Sequence, residues 1–144
     1  MSVPARLSIV TLGVSDLERS ETFYESLGWA RASSSVPGEI TWFRTADSYL
    51  GLFRYDSLAE DANLPTTRSG DFGGITLAIC LESEEAVLGA MDHAVAAGGT
   101  LLKQPQRMEW GGFSGYFADP DGYPWELAFN PNFPIDDNGR ITIA

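Results

Sequence analysis

Residues Gly115 to Pro131, GYFADPDGYPWELAFNP, leave the chain few ways to fold. Asp119-Pro120-Asp121-Gly122 puts Asp first, Pro second and Gly fourth, the preference of a type I turn, and so joins two short strands. Past the turn, Tyr123, Trp125, Leu127 and Phe129 alternate with Pro124, Glu126, Ala128 and Asn130. An extended backbone therefore places four large groups on one face, and these need cover, most simply from helices. The opposite face offers a lone carboxylate, Glu126, among small neighbours. That arrangement suits the lining of a concavity, or the solvent side of a one-sided antiparallel sheet.

The rest of the chain reads as the same order of elements used twice. Leu7 to Val14 is apolar and β-branched, a strand. Ser15 begins an S-x-x-E capping box with Glu18, which starts a helix that runs to about Leu27 and stops at Gly28. Leu17, Phe23, Tyr24 and Leu27 are its inward residues. A short strand over Trp29 to Ala32 follows, then a hairpin of Glu39 to Thr45 and Tyr49 to Tyr55, then one short helix over Ser57 to Asn63. After the polar connector LPTTRSGDFGG the order recurs. Ile75 to Leu81 is a strand, and Ser83 caps a helix to about Ala97, with Leu88, Met91 and Val95 on its inner face. Strand Thr100 to Lys103, a loop through Gly112 and the opening hairpin complete it. The domain reading is a first β-α-β-β-β module with its connector over residues 1–66, a second over 67–134, and a tail over 135–144 with a turn at Asp137-Asn138-Gly139. Neither half closes a core alone, which favours pairing them.

A formal charge of −11 repels phosphate backbones and anionic bilayers, so nucleic acid and membrane are not expected partners. The N-terminal residues carry no apolar signal core, and no apolar run reaches membrane-spanning length. Together with the single Cys80, which rules out an internal disulfide, this points to a cytoplasmic protein.

The segments V-S-D-L-E-R-S-E-T-F-Y-E-S-L-G-W and G-Y-F-A-D-P-D-G-Y-P-W-E-L resemble those of the vicinal oxygen chelate superfamily, which includes glyoxalase I, extradiol dioxygenases, fosfomycin-modifying enzymes and bleomycin-resistance proteins. The resemblance spans about Leu7 to Phe133. It implies an α+β fold of two βαβββ modules that form a curved, half-open barrel around a ligand cavity, with helices outside and a homodimer as the common assembly. Metal-binding members place ligands on the first and last strands of each module. Carried over by motif, those positions are Ile9, Gly51, Gly74 and Glu126, of which only Glu126 has a ligating side chain.

The residue inventory points the same way. A two-His-one-carboxylate iron site needs two histidines, and His93 is the only one. It lies on the solvent side of the second helix, so it serves neither a zinc site nor a Ser or Cys triad. No glycine pattern suggests nucleotide phosphate binding. No metal or other cofactor is expected. What remains is a pocket of aromatic groups and one carboxylate: Trp42 (or Phe43) and Phe53 from the first module, and Met108, Trp110, Tyr116 (or Phe113) and Glu126 from the second. Arg44, Arg54 and Arg107 are further anion contacts to test. The leading expectation is a metal-independent protein that binds a small organic molecule in an aromatic, acidic cavity. The alternative is a glyoxalase-like lyase or dioxygenase-type enzyme, in a metal-free form with Glu126 as acid or base.

Overall fold

The computed structural model describes residues 2–144. The chain is α+β and divides into two compact units, Met1–Ser69 and Gly70–Ala144. The first contains β1 (Ile9–Val14), α1 (Leu17–Ser26), β2 (Ile40–Arg44), β3 (Tyr49–Arg54) and α2 (Tyr55–Asp61). Its sheet runs β1-β3-β2, with β1 parallel and β2 antiparallel to β3. The second unit contains β4 (Leu77–Cys80), α3 (Glu84–Ala96), β5 (Thr100–Arg107), β6 (Phe113–Ala118) and β7 (Pro124–Phe129). Its sheet runs β4-β7-β6-β5, and β4 and β7 are parallel.

In both units the first strand pairs parallel with the last, and a helix makes the crossover that parallel pairing requires. The expected strand over residues 29–32 is reduced to one bridge, Arg31 to Phe43, beside the hydrogen bond from Ala32 N–H to the Trp42 carbonyl (2.7 Å). The first helix is capped one residue later than the S-x-x-E pattern suggests. Asp16 is extended and its carboxylate accepts from Arg19 N–H, while Ser15 Oγ accepts from the Arg19 guanidinium. A carboxylate at the positive helix end outcompetes the neighbouring hydroxyl. The second cap falls where it was expected, with Ser83 Oγ accepting from Ala86 N–H at 3.0 Å.

Pleating sorts each sheet into two faces. In the first unit Leu12, Val14, Leu50, Leu52 and Phe43 are buried with Leu17, Phe23 and Tyr24 of α1. Tyr24 packs its ring 5.9 Å from Phe43 and 5.5 Å from Trp29. One charge is drawn into this packing. Glu21, 7% exposed, accepts from Thr41 Oγ1 at 2.6 Å and lies 2.7 Å from Arg31, which also holds Glu25. In the second unit Val87, Met91 and Ala94 of α3 are buried with Phe117, Trp125 and Leu127, and the Phe117 and Trp125 rings stack at 5°. This corrects the expected helix face, because Leu88 and Val95 are exposed. Spacings of four and three through Val87, Met91 and Ala94 track the 3.6-residue period with smaller side chains that let the helix lie close.

Strand β5 also runs longer than Thr100 to Lys103. It continues to Arg107 through two register shifts, and Pro105 sits at the second, where a missing N–H costs no ladder bond. Gly115 makes this possible. A Cβ there would meet the Lys103 carbonyl and Pro105 nitrogen at 2.7 Å. The hairpin turn between β6 and β7 is built as the sequence suggests. Gly122 N–H bonds the Asp119 carbonyl, and the buried Asp119 carboxylate accepts from the N–H groups of Asp121 and Tyr123.

Two positions test this hairpin. Asp119→Ala strands two amide donors and should cost about 1–3 kcal/mol, whereas Asp119→Asn, which keeps an acceptor oxygen, should cost less. Gly115→Ala drives a methyl group into backbone atoms and should cost a similar amount. Urea melts of the three variants decide the matter. If Asp119→Ala proves as stable as the parent, the turn does not hold the hairpin.

Candidate functional site

The residues singled out from the sequence fall into two groups, one in each unit. In the first, register aligns Thr11 with Gly51, Gly51 with Trp42, and Ile40 with Phe53, so these side chains share the face opposite α1. Gly51 is what allows the grouping. A Cβ there would meet Thr11 Oγ1 at 3.1 Å and Trp42 Cδ1 at 3.3 Å, so the indole and the hydroxyl close over a bare backbone. Trp42 and Phe53 are half-buried, whereas Phe43 is completely buried against Tyr24. Of the two alternatives, Trp42 is therefore the one on this face. Helix α2 reaches the Gly13 end of the same face through Tyr55 and Leu58.

The second unit holds the polar group. Tyr116 and Glu126 are direct cross-strand partners, and Ala78 stands opposite Glu126 on β4. The next row is Ser114, Ala128 and Cys80. All of these lie on the face opposite Trp125, Leu127 and Phe117, which α3 covers. Glu126 is half-buried, as the strand alternation suggests. Tyr116 donates a side-chain hydrogen bond to it. Burial, the nearby Glu126 charge and that bond together push the phenol above its ordinary value, so Tyr116 stays protonated at neutral pH. The Cys80 thiol is raised in the same way, first by burial and then by Glu126. Phe113 is buried, which leaves Tyr116 as the one of that pair on this face. Met108 and Trp110 lie in the loop between β5 and β6, where Trp110 is 47% exposed.

Among the arginines, Arg107 reaches Glu84 at 3.5 Å and Arg44 is exposed. Arg54 lines a cleft of about 910 Å³ at the ends of β1 and β3, together with Arg31, Asp16, Glu18, Glu21 and Asp56. None of Trp42, Gly51 and Phe53 lines that cleft, so it is not the aromatic face the sequence suggests.

Ile9 stands in β1 opposite Tyr49, on the same strand face as Thr11, the partner of Gly51, and Ala78 of β4 stands opposite Glu126. Gly74 lies outside β4, in the connector, at a φ of 80°. Ile9, Gly51, Gly74 and Glu126 thus bring one aliphatic side chain, two bare backbones and one carboxylate, which do not make a metal-ligand set. Among the described residues no three His, Cys, Asp or Glu side chains converge.

The sequence model of the Glyoxalase/Bleomycin resistance protein/Dioxygenase superfamily matches residues 6–127. The chain belongs to that superfamily. Among solved structures it is similar to a glyoxalase-related enzyme from Fulvimarina pelagi, with 37% identity, a TM-score of 0.88, and 98% of this chain and 99% of that one covered. A glyoxalase/bleomycin resistance protein/dioxygenase family enzyme from Burkholderia phytofirmans PsJN shares 22% identity at a TM-score of 0.78, covering 87% and 98%. Lactoylglutathione lyase from Agrobacterium tumefaciens shares 24% at 0.67, covering 90% and 96%, a likeness of fold alone. None of the curated proteins matches the chain. Superfamily membership accounts for the twofold βαβββ order, and among the described residues no helix is long and apolar enough to cross a membrane.

Cys80 offers a reporter on this geometry, because it is the single cysteine. Glu126→Gln removes a negative charge that disfavours the thiolate, so the Cys80 pKa should fall and iodoacetamide labelling at fixed pH 8 should speed up. Equal labelling rates in parent and variant would separate Glu126 from Cys80 and contradict the shared face.

Proposed function

We propose that this protein binds a small organic molecule without a metal ion, with Glu126 as its main polar contact. The observation that carries the reading is the Tyr116–Glu126 pair on the sheet face opposite α3. A carboxylate there, held by a phenol and flanked by Ala78 and Ala128, has further capacity to accept. In metal-using relatives the corresponding position serves the metal. Here the other motif positions, Ile9, Gly51 and Gly74, supply no second ligand, so the carboxylate is left to recognise hydrogen-bond donors directly. The aromatic face of Trp42 and Phe53 in the first unit, taken by itself, is apolar contact area of the kind small-molecule sites use. A charge of −11 favours neutral or cationic ligands over anions.

A homodimer is part of the proposal. Strands β1 and β4 each stand at the edge of a sheet, the kind of boundary along which two copies of a chain associate. A cytoplasmic location is proposed from the single free cysteine.

A second reading has one observation in its favour. The chain is 37% identical to a protein described as a glyoxalase-related enzyme, and Tyr116 holds a proton against Glu126, an arrangement able to pass a proton to or from a bound substrate. In that reading Glu126 is the acid or base of a metal-free reaction. The two readings part on turnover, since a binding protein returns its ligand unchanged.

Elemental analysis of dialysed protein and native mass spectrometry of freshly isolated protein test the proposal. The expected results are no stoichiometric Zn²⁺, Ni²⁺ or Fe²⁺, a mass near twice 15.6 kDa, and any co-purified organic ligand retained by the parent and lost from Glu126→Gln. About one transition-metal ion per chain would overturn metal independence, and a monomer at micromolar concentration would overturn the dimer.

A further inference from the structure

The cleft at the ends of β1 and β3 lies where the first unit changes sides. The two strands are parallel neighbours, and each leads into a helix, β1 into α1 and β3 into α2. Those helices take opposite faces of the sheet. Helix α1 shares its buried side with Leu12 and Val14, whereas a Cβ on Gly13, which points the other way, would meet the Tyr55 ring of α2 at 2.9 Å. Adjacent parallel strands whose helices part to either side leave a crevice beyond their carboxyl ends, and open sheets bind ligands at such a place. Here the crevice measures about 910 Å³, within the ~300–1,000 Å³ of small-molecule sites. None of its lining residues belongs to the second unit, where Glu126 lies.

Its walls are held by the chain itself. Arg31, in the loop before β2, lies 2.7 Å from Glu21 and 2.9 Å from Glu25, and so ties the loop that brings Pro37 and Gly38 to α1. Thr41 donates to Glu21, and Asp16 is committed to the α1 cap. Tyr55 is set by bare Gly13 and by Arg68, whose guanidinium carbon stands 5.7 Å from the ring centroid. The remaining charges of the lining are not answered by the protein. Arg54 precedes α2 without a capping bond, and among the described residues neither Arg54 nor Glu18 has an ion pair or a side-chain hydrogen bond. Asp56 accepts from the adjacent Ser57 N–H through Oδ1, which leaves its second oxygen.

From the topology, the cleft and these charges we infer that the crevice is a second ligand site, for a small molecule of the basic amino-acid type. Its carboxylate meets the Arg54 guanidinium, whose fork matches two oxygens, and its cationic group meets Glu18 and Asp56. A dianion meets the two carboxylates and is refused. A diamine satisfies Glu18 and Asp56 but leaves Arg54 without a partner. The site does not depend on Glu126.

The test titrates L-arginine, agmatine (the same molecule without its carboxylate) and glutarate into the isotope-labelled full chain, read by amide NMR shifts. L-arginine should bind about tenfold or more tightly than agmatine, and glutarate should not bind. The shifts should gather at residues 14–18 and 54–56, which line the cleft. Arg54→Gln should remove the preference for L-arginine over agmatine, and the double variant Glu18→Gln with Asp56→Asn should weaken both. All three side chains are exposed, so each variant should keep the parent's spectrum elsewhere. Glu126→Gln should bind L-arginine as the parent does. No binding of L-arginine at millimolar concentration, or shifts gathered in the second unit, would overturn the site. Equal binding of L-arginine and agmatine by the parent, or an unchanged preference in Arg54→Gln, would overturn the ligand class. Loss of L-arginine binding in Glu126→Gln would place the ligand at Glu126 and overturn the separate site, while leaving the reading of Glu126 standing.

Discussion

A β-sheet has two faces, and each unit of this chain supplies one crossover helix to cover them. The crossover is obligatory, because β1 pairs parallel with β3 and β4 with β7, and parallel neighbours need a long connection. In the second unit α3 takes Phe117, Trp125 and Leu127. Pleating then sends Tyr116, Glu126, Ser114 and Ala128 to the other side, whatever their chemistry. In the first unit α1 takes Phe43, Leu50 and Leu52, and the opposite face is left with Thr11, Gly51, Trp42 and Phe53, where α2 reaches only the Gly13 end.

Glycines shape both faces more than any polar group does. Gly51 lets Trp42 and Thr11 meet across bare backbone, Gly112 gives Trp110 its place, and Gly115 lets the bulged β5 stay paired with β6. A methyl group would collide with the Trp110 ring at Gly112 and with backbone atoms at Gly115, and would crowd the Thr11 hydroxyl and the Trp42 ring at Gly51. Such positions are tied to sheet geometry as tightly as core positions are tied to volume.

Much of the fold could be read from local rules. The turn at Asp119, the alternation around Glu126, the Ser83 cap and the hairpin of β2 and β3 all rest on short-range chemistry, and all are found. Local rules fail where tertiary context decides. The inward face of α3 turns on Val87 and Ala94 rather than Leu88 and Val95, a choice made by how closely the helix approaches its sheet. Strand β5 crosses a proline only because Gly115 stands opposite, which no periodicity reveals. Within the site, Glu126 and Tyr116 were legible from strand patterning. That Gly74 falls outside β4, and that Thr11 and Ala78 stand opposite Gly51 and Glu126, was not, because parallel register is a long-range property. The place of Trp110 was signalled by W-G-G, two glycines that free the backbone to fold the ring back.

Superfamily membership fixes the frame. Within that frame the Glu126 carboxylate stands beside the Tyr116 phenol, which burial and that charge keep protonated. The account therefore depends on the Tyr116–Glu126 interaction being real and energetic in solution. A double-mutant cycle on unfolding free energy, with Tyr116→Phe, Glu126→Ala and the double variant, measures it directly. A coupling of about 0.5–1.5 kcal/mol is predicted for a half-buried hydrogen bond to a charged group. Strictly additive losses would contradict it and leave Glu126 an ordinary surface carboxylate.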